Sequence, residues 1–204
     1  MIKKILISLL VIIFFNLNAL AEDGPYIGAK ASKLKIDYGS VEGIDLADVY
    51  ADEFTTKDIF IGYTFGNTFF EVGYIDGGKE RKSLGSITIA GITLSANTSL
   101  ELEAWRLGGG YNYLISDKFT IRPFVNYYDV KFTETGSITV TAGSSTFTAS
   151  ASADGSDSMI DAGIGFIYKI NDKSELSYSY SRSVDDMANV ELAEHHSLSV
   201  KYNF

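Results

Sequence analysis

His195 and Ser197 stand two residues apart in an alternating stretch near the carboxy-terminal end, so an extended chain turns both side chains to the same side. With Glu191 or Glu194 to orient the imidazole, they supply the residue types of a nucleophile, base and acid for acyl hydrolysis. The same spacing arises by chance on a serine-rich strand, and no oxyanion donor accompanies it. A second set is ionic: Glu71, Arg106, Arg122, Asp161, Lys169, Glu175 and Lys201 carry both signs and fall at the polar positions of alternating segments. Charges withdrawn from water must pair, so this set reads as a network of internal salt bridges, with a gated ion path as the competing role. A third is acidic: Asp37, Glu42, Asp45, Asp48, Asp52 and Glu53 crowd residues 37–54. If that segment forms a short helix, Asp45, Asp48 and Asp52 share one face and Leu46 and Tyr50 the other. The carboxylates could take up a divalent cation, but no calcium-loop spacing is present and a solvated acidic loop is the simpler account. No cofactor or metal site is expected.

These residues must be positioned by strands. Period-two alternation bounded by turn residues recurs along the chain. Ile27, Ala29 and Ala31 share one side of a first strand over 25–35. Ile59, Ile61, Tyr63 and Phe65 face out on the second, Phe70, Val72 and Tyr74 on the third, and Trp105, Leu107, Gly109, Tyr111 and Tyr113 on the fourth. On the fifth, Phe119, Ile121, Val125 and Tyr127 face out, and Pro123 marks a bulge or an unpaired amide. Ile160 to Tyr168 and Leu176 to Tyr180 give the sixth and seventh. Leu198, Val200, Tyr202 and Phe204 give the eighth, with Ser197, Ser199, Lys201 and Asn203 inward.

Joins at Gly66, Ser116 and Asn171 are short, whereas those after strands one, three, five and seven are long and polar. Short turns at one end and long loops at the other are the asymmetry of an outer-membrane β-barrel. The fold class expected is all-β, an antiparallel up-and-down transmembrane barrel of about eight strands. Outward aromatics, including Tyr63, Phe65, Phe70, Tyr111, Phe166 and Tyr168, would form an interfacial girdle near the short turns. A soluble barrel would leave this apolar face unburied.

Met1-Ile2-Lys3-Lys4, the apolar run Ile5 to Phe15 and Ala19-Leu20-Ala21 read as a secretory signal peptide over 1–21, leaving 22–204 as the barrel with four long extracellular loops. The apolar run is too short for a membrane-spanning helix. Removing Lys3 and Lys4 from 17 basic residues leaves 15 against 26 acidic ones, a net −11 that disfavours nucleic acid. The absence of cysteine excludes disulfides, thiolate zinc sites and thiol catalysis.

From Gly24-Pro25-Tyr26-Ile27-Gly28 to Val200-Lys201-Tyr202-Asn203-Phe204 the chain resembles the small eight-stranded outer-membrane proteins, the OmpA/OmpX-like and opacity-like barrels. The resemblance implies a Gram-negative cell envelope and the outer membrane as location. It implies outer-membrane lipid and lipopolysaccharide as surroundings, a monomer, and recognition of Tyr202 and Phe204 as an assembly signal by the barrel-assembly machinery. No peptidoglycan-binding domain of the OmpA type is expected after Phe204. Some small barrels modify lipid A, and a His-x-Ser pair resembles their signature, but His195 and Ser197 face the lumen here and no second motif joins them.

Eight strands enclose only enough space for side chains, so a wide porin-like channel is not expected, and a narrow ion-conducting pore stays as an alternative. Recognition is expected in the loops. Residues 85–94 and 136–143 are close to an internal repeat, each alternating like a strand with a glycine near its tip. They place Ile87, Ile89, Ile92, Leu94, Ile138, Val140 and, just beyond, Phe147 as candidate contact residues. Glu101 and Glu103, on the face that turns apolar at Trp105, must lie above the bilayer. An open-edged protruding sheet resembles the strands proposed to capture partners by β-augmentation in OmpX-like proteins, which would give a structural or adhesin-like role toward a host or surface protein. Polar hairpins that merely cover the mouth are the plainer alternative.

Overall fold

The computed structural model describes residues 23–184 and 190–204. Eight long strands form an up-and-down ring: β1 (Gly24–Tyr38), β2 (Glu53–Phe65), β3 (Thr68–Ile89), β4 (Ile92–Tyr111), β5 (Phe119–Ala142), β6 (Ser145–Lys169), β7 (Ser174–Ser183) and β8 (Val190–Asn203). Each pairs antiparallel with its sequence neighbours, and β1 closes the ring against β8 through contacts such as Ile27 opposite Tyr202. Among the described residues the ring therefore has no open edge at the level of its lower half, the arrangement that removes unpaired backbone groups from an apolar medium. No helix is long and apolar enough to cross a membrane, which says nothing about crossing with strands.

The lower half alternates as a lipid-facing barrel should. Ile59, Ile61, Phe65, Phe70, Trp105, Leu107, Phe119, Phe166, Leu198 and Val200 are all exposed, while Asp58, Glu71, Arg106, Asn126, Asp161 and Ser199 are buried inside. From Phe119 to Tyr127, a rise of about 3.3 Å per residue at a tilt near 40° gives an apolar belt roughly 20 Å tall, close to the about 25 Å of such barrels.

Above the belt the phase of the alternation inverts. On β4, Trp105 and Leu107 face out around Arg106, whereas higher up Glu101 and Glu103 face out and Leu100 and Ala104 are buried. The same exchange occurs on β5, where exposed Val125 and Tyr127 give way to exposed Asp129 and Lys131 flanking buried Val130. On β1, Lys33 and Lys35 alternate with Leu34 and buried Ile36. Lipid outside selects apolar outward residues; water outside selects the reverse, so the strands leave the apolar medium where the phase changes.

β3 through β6 then continue upward as one four-stranded sheet. Their tips are two-residue turns, Ala90-Gly91 with both φ positive (51° and 78°) and Gly143-Ser144 with Gly143 at 58°. Such turns match the twist of the strands they join. The β4–β5 ladder runs from Gly110 opposite Phe124 to Ile92 opposite Ala142 without a register shift. The segments expected as loops two and three are thus strand extensions.

Two local expectations change, and at Pro123 the second of two alternatives holds. Tyr111 is buried rather than outward: it accepts a hydrogen bond from Asn67 Nδ2 at 2.8 Å and packs 4.6 Å from the Tyr113 ring, because the β2–β3 turn covers it. Pro123 makes no bulge. Gly110 opposite Phe124 and Tyr113 opposite Ile121 keep one register, so the proline interrupts the ladder only by lacking an amide. Loop one does not form a helix that gathers three acids. Only Leu46–Asp48 make a 3₁₀ turn, capped by Asp45, whose carboxylate accepts from the Ala47 amide at 2.9 Å. Leu46, Ala47 and Tyr50 fold inward onto Ile36, Tyr38, Phe54 and Leu100.

Candidate functional site

The lower lumen is filled by one polar assembly. Arg106 on β4 donates from Nε to Asp58 Oδ2 on β2 and from Nη1 to Glu71 Oε2 on β3, each at 2.9 Å, with Asn126 Oδ1 at 3.3 Å. Arg122 on β5 lies 3.4 Å from Glu71 Oε1, donates to Asn112 at 2.7 Å, and covers the Phe69 ring. The Tyr26 hydroxyl gives Glu71 a further bond at 3.0 Å, and Lys30 stands 3.6 Å from Asp58. Lys201 pairs with Glu175 at 2.8 Å and sits over the Tyr26 ring, which ties the β7–β8 pair to the β3–β4 group.

All seven expected interior charges face this lumen. Lys169 stands at its short-turn mouth, opposite Glu175 in the ladder and beside Arg122 and Lys201, and pairs with exposed Asp172 at 3.6 Å. Asp58 and Lys30 were missed. Asp58 lies one residue before the span assigned to the second strand, and Lys30 alternates with the small Ala29 and Ala31, whose weak apolar signal hid its inward direction.

Asp161 is fully buried and touches no arginine directly, being joined to the Arg106 group through Asn126. It accepts from Asn126 Nδ2 at 2.8 Å, Tyr128 Oη at 2.9 Å and Ser181 Oγ at 2.7 Å, and His195 Nδ1 lies 3.7 Å away. His195 Nε2 lies 3.3 Å from Ser197 Oγ, which also accepts from Ser32 at 2.9 Å. The acid beside His195 is therefore Asp161, not Glu194, which faces outward 3.8 Å from His196; the side chain of Glu191 lies outside the described residues. The residue types of a triad are assembled, but Asp161 is occupied by three other donors and Ser197 by a second serine. The three donors from Asn126, Tyr128 and Ser181 satisfy the buried carboxylate.

Above this plug the interior turns apolar. Ile75, Ala104, Tyr128, Val130 and Met159 form one cluster, and Ile36, Tyr38, Phe54 and Leu100 a second beneath loop one. The hydroxyl of Tyr50 donates to Glu134, fastening the loop across the barrel. Among the described residues no group of three or more His, Cys, Asp or Glu could hold a metal ion.

The extracellular sheet is two-faced. Register places Ile87 opposite Leu94, Ile89 opposite Ile92, and Val140 opposite Phe147, with Ile138 two residues from Val140, so all seven expected contact residues share one face. Ile87, Ile89, Ile92, Leu94, Ile138 and Phe147 are exposed there. The opposite face is hydroxylic, with Thr88–Thr93, Thr139–Thr148 and Thr135–Ser152 pairs at 2.9 to 3.0 Å. The sheet's two edges also differ. β3 carries Lys79, Glu80, Arg81 and Lys82 and two register shifts, whereas β6 from Ser145 to Asp157 pairs with β5 without a shift. Charge and bulges blunt an edge strand; β6 has only Asp154 and Asp157.

The profile of the outer membrane protein β-barrel domain matches residues 7–204. The chain belongs to that family. The outer membrane is accordingly its location, and the apolar belt faces lipid there. No curated protein matches the sequence. Among solved structures, Ail of Yersinia pestis, the attachment invasion locus protein, solved with the heparin analogue sucrose octasulfate, superposes with a TM-score of 0.51 at 11% identity, covering 90% of this chain and 100% of Ail. Neisserial surface protein A superposes with a TM-score of 0.47 at 17% identity, covering 89% and 97%. Ail carries the comparison of fold alone. In this family member, Tyr63, Phe65, Phe70, Phe119, Phe166, Tyr168 and Tyr202 lie toward the short-turn end of the belt. Tyr74 and Trp105, packed edge to face at 5.3 Å, mark its upper limit.

Proposed function

We propose that this outer-membrane barrel is a surface-interaction protein that meets its partner with the extracellular sheet of β3 to β6. One observation carries the reading: Ile87, Ile89, Ile92, Leu94, Ile138, Val140 and Phe147 gather on a single face raised above the membrane. Contiguous exposed apolar surface of this kind marks interaction sites in soluble regions. The level, bulge-free β6 edge beside it supports strand addition by a protein partner, with main-chain bonds giving affinity and the apolar face giving selectivity. A sulfated polysaccharide like the analogue bound in Ail is disfavoured, since the chain carries a net charge of −9.

Within this reading residues 1–21 are the export signal, Tyr202 and Phe204 serve recognition by the assembly machinery, and lipopolysaccharide surrounds a monomeric barrel. The lumenal charges and the His195–Ser197–Asp161 group are structural, and no enzyme activity or conduction is assigned.

The test is to replace residues 84–97 and 136–151 by short Gly/Ser turns and to display both forms on cells. The shortened barrel should still migrate as a heat-modifiable band, while retention of the cells on immobilised extracellular-matrix proteins should fall to that of cells lacking the protein. Equal retention with and without the sheet refutes the role.

A further inference from the structure

The upper interior is more than a packed core. A cavity of about 180 Å³ opens beneath loop one, and a second of about 60 Å³ lies deeper toward His195, the two sharing Ile36, Leu102 and Val130. Protein interiors leave few voids larger than a water molecule, and a dry apolar cavity of about 150 Å³ holds benzene. Room of this size under a loop that carries its own aromatic lid, Tyr50, is suited to a small hydrocarbon group.

The charges of the lining select the ligand's head. Glu134 and Asp157 line the upper cavity, and no lysine or arginine lines either cavity. Lys82, which reaches loop one, is occupied by the Ala47 carbonyl. Tyr38, Tyr50 and Phe132 add ring faces to the same wall. Acids beside aromatic rings favour a cation twice over, by ion pairing and through the ring quadrupoles, and repel a carboxylate such as that of a fatty acid.

We propose that this chamber binds a small cationic amphiphile, an alkyl- or arylammonium compound, with its hydrocarbon against Leu102, Val130 and Phe132 and its ammonium at Glu134 and Asp157. The site is independent of the sheet's apolar face, because its lining comes from the barrel mouth and loop one. Entry passes beside Tyr50, whose bond to Glu134 must yield to the arriving ammonium.

The experiment uses the full barrel in lipid nanodiscs with methyl-labelled Leu, Val and Met, titrated at neutral pH with octylammonium, octanoate and octanol. Octylammonium should shift the Leu102, Val130 and Met159 methyl signals saturably, with octanoate and octanol about tenfold weaker or more. Glu134→Gln with Asp157→Asn should abolish the preference for the cation while octanol still binds. Leu102→Trp should fill the chamber and remove all three responses; Leu102→Phe serves if the larger variant loses its heat-modifiable band. Equal, non-saturating shifts from all three compounds, or shifts that persist in both filled variants, mean partition into lipid alone and overturn the proposal. So does tighter binding of octanoate.

Discussion

A β-carbon built on Gly73 would lie 2.5 Å from Asp58 Oδ1, so the glycine on β3 is what leaves room for the carboxylate on β2. Gly73 also stands directly opposite Arg106 in the ladder, and the guanidinium crosses over it to reach Asp58. A side chain there displaces the ion pair rather than filling a void. Gly73→Ala should cost about 1–3 kcal/mol of stability, measured by urea unfolding of the barrel refolded in phosphocholine vesicles. Gly136→Ala on the extracellular sheet, where nothing lies within 4 Å of the new carbon, should stay within about 0.5 kcal/mol.

Arg106 is buried together with Asp58 and Glu71, and its removal leaves these carboxylates only the longer pairs with Lys30 at 3.6 Å and Arg122 at 3.4 Å. Arg106→Ala should lose about 3–5 kcal/mol in the same assay. Adding Asp58→Asn and Glu71→Gln should recover most of that loss. If the triple variant is no better than the single one, the cost lies in packing rather than charge.

How much of this was legible beforehand follows from where the alternation is strong. Strands whose outward residues are large, such as Ile59 to Phe65 or Ile164 to Tyr168, announce both direction and register. The ring and the inward direction of its charges, Lys169 at the short-turn mouth included, come from that. Pairing within the lumen is not local: Arg106 meets Asp58 across 48 positions, a distance that period-two counting does not span. The apolar chamber was hidden for another reason. Leu100, Leu102 and Val130 stand in the same alternation as Trp105 and Val125 with the phase reversed, and a count that assumes lipid along the whole strand takes the reversal for noise. Glu101 and Glu103 held the clue, since they require water outside.

The lumenal plug predicts electrical silence. Protein reconstituted in planar bilayers should give no steady conductance steps at neutral pH, because the buried side chains of Arg106, Asp58 and Asp161 occupy the narrow lumen at their level. Arg106→Ala with Arg122→Ala should produce small, brief openings. Steady wild-type conductance would show that the assembly moves.

Loop one should stay fastened at alkaline pH. Burial first, and then the bond to Glu134, push the Tyr50 hydroxyl up to about 12 from the ordinary 10.0. A hydroxyl raised in the folded state contributes its contact fully below about pH 10 and loses it as pH climbs through about 12. The tyrosinate absorbance difference between wild type and Tyr50→Phe should therefore develop near pH 12, and Glu134→Gln should bring it closer to 10. A transition near 10 in the wild type would mean that loop one is open.

Apolar residues on the raised sheet should matter little to the barrel. Ile87→Lys and Phe147→Lys, both highly exposed, should each alter unfolding by no more than about 0.5 kcal/mol while lowering self-association in detergent-free suspension.

The unshifted β4–β5 ladder, carried from Gly110 and Phe124 up to Ile92 and Ala142, makes sheet and barrel one mechanical member. Tension applied at the Gly143 tip loads many parallel hydrogen bonds in shear at once instead of peeling them singly, and it arrives in the lipid-embedded wall undiminished by any hinge in that ladder. A cell held by this sheet would be held by the barrel's own seam, with the membrane as its anchor.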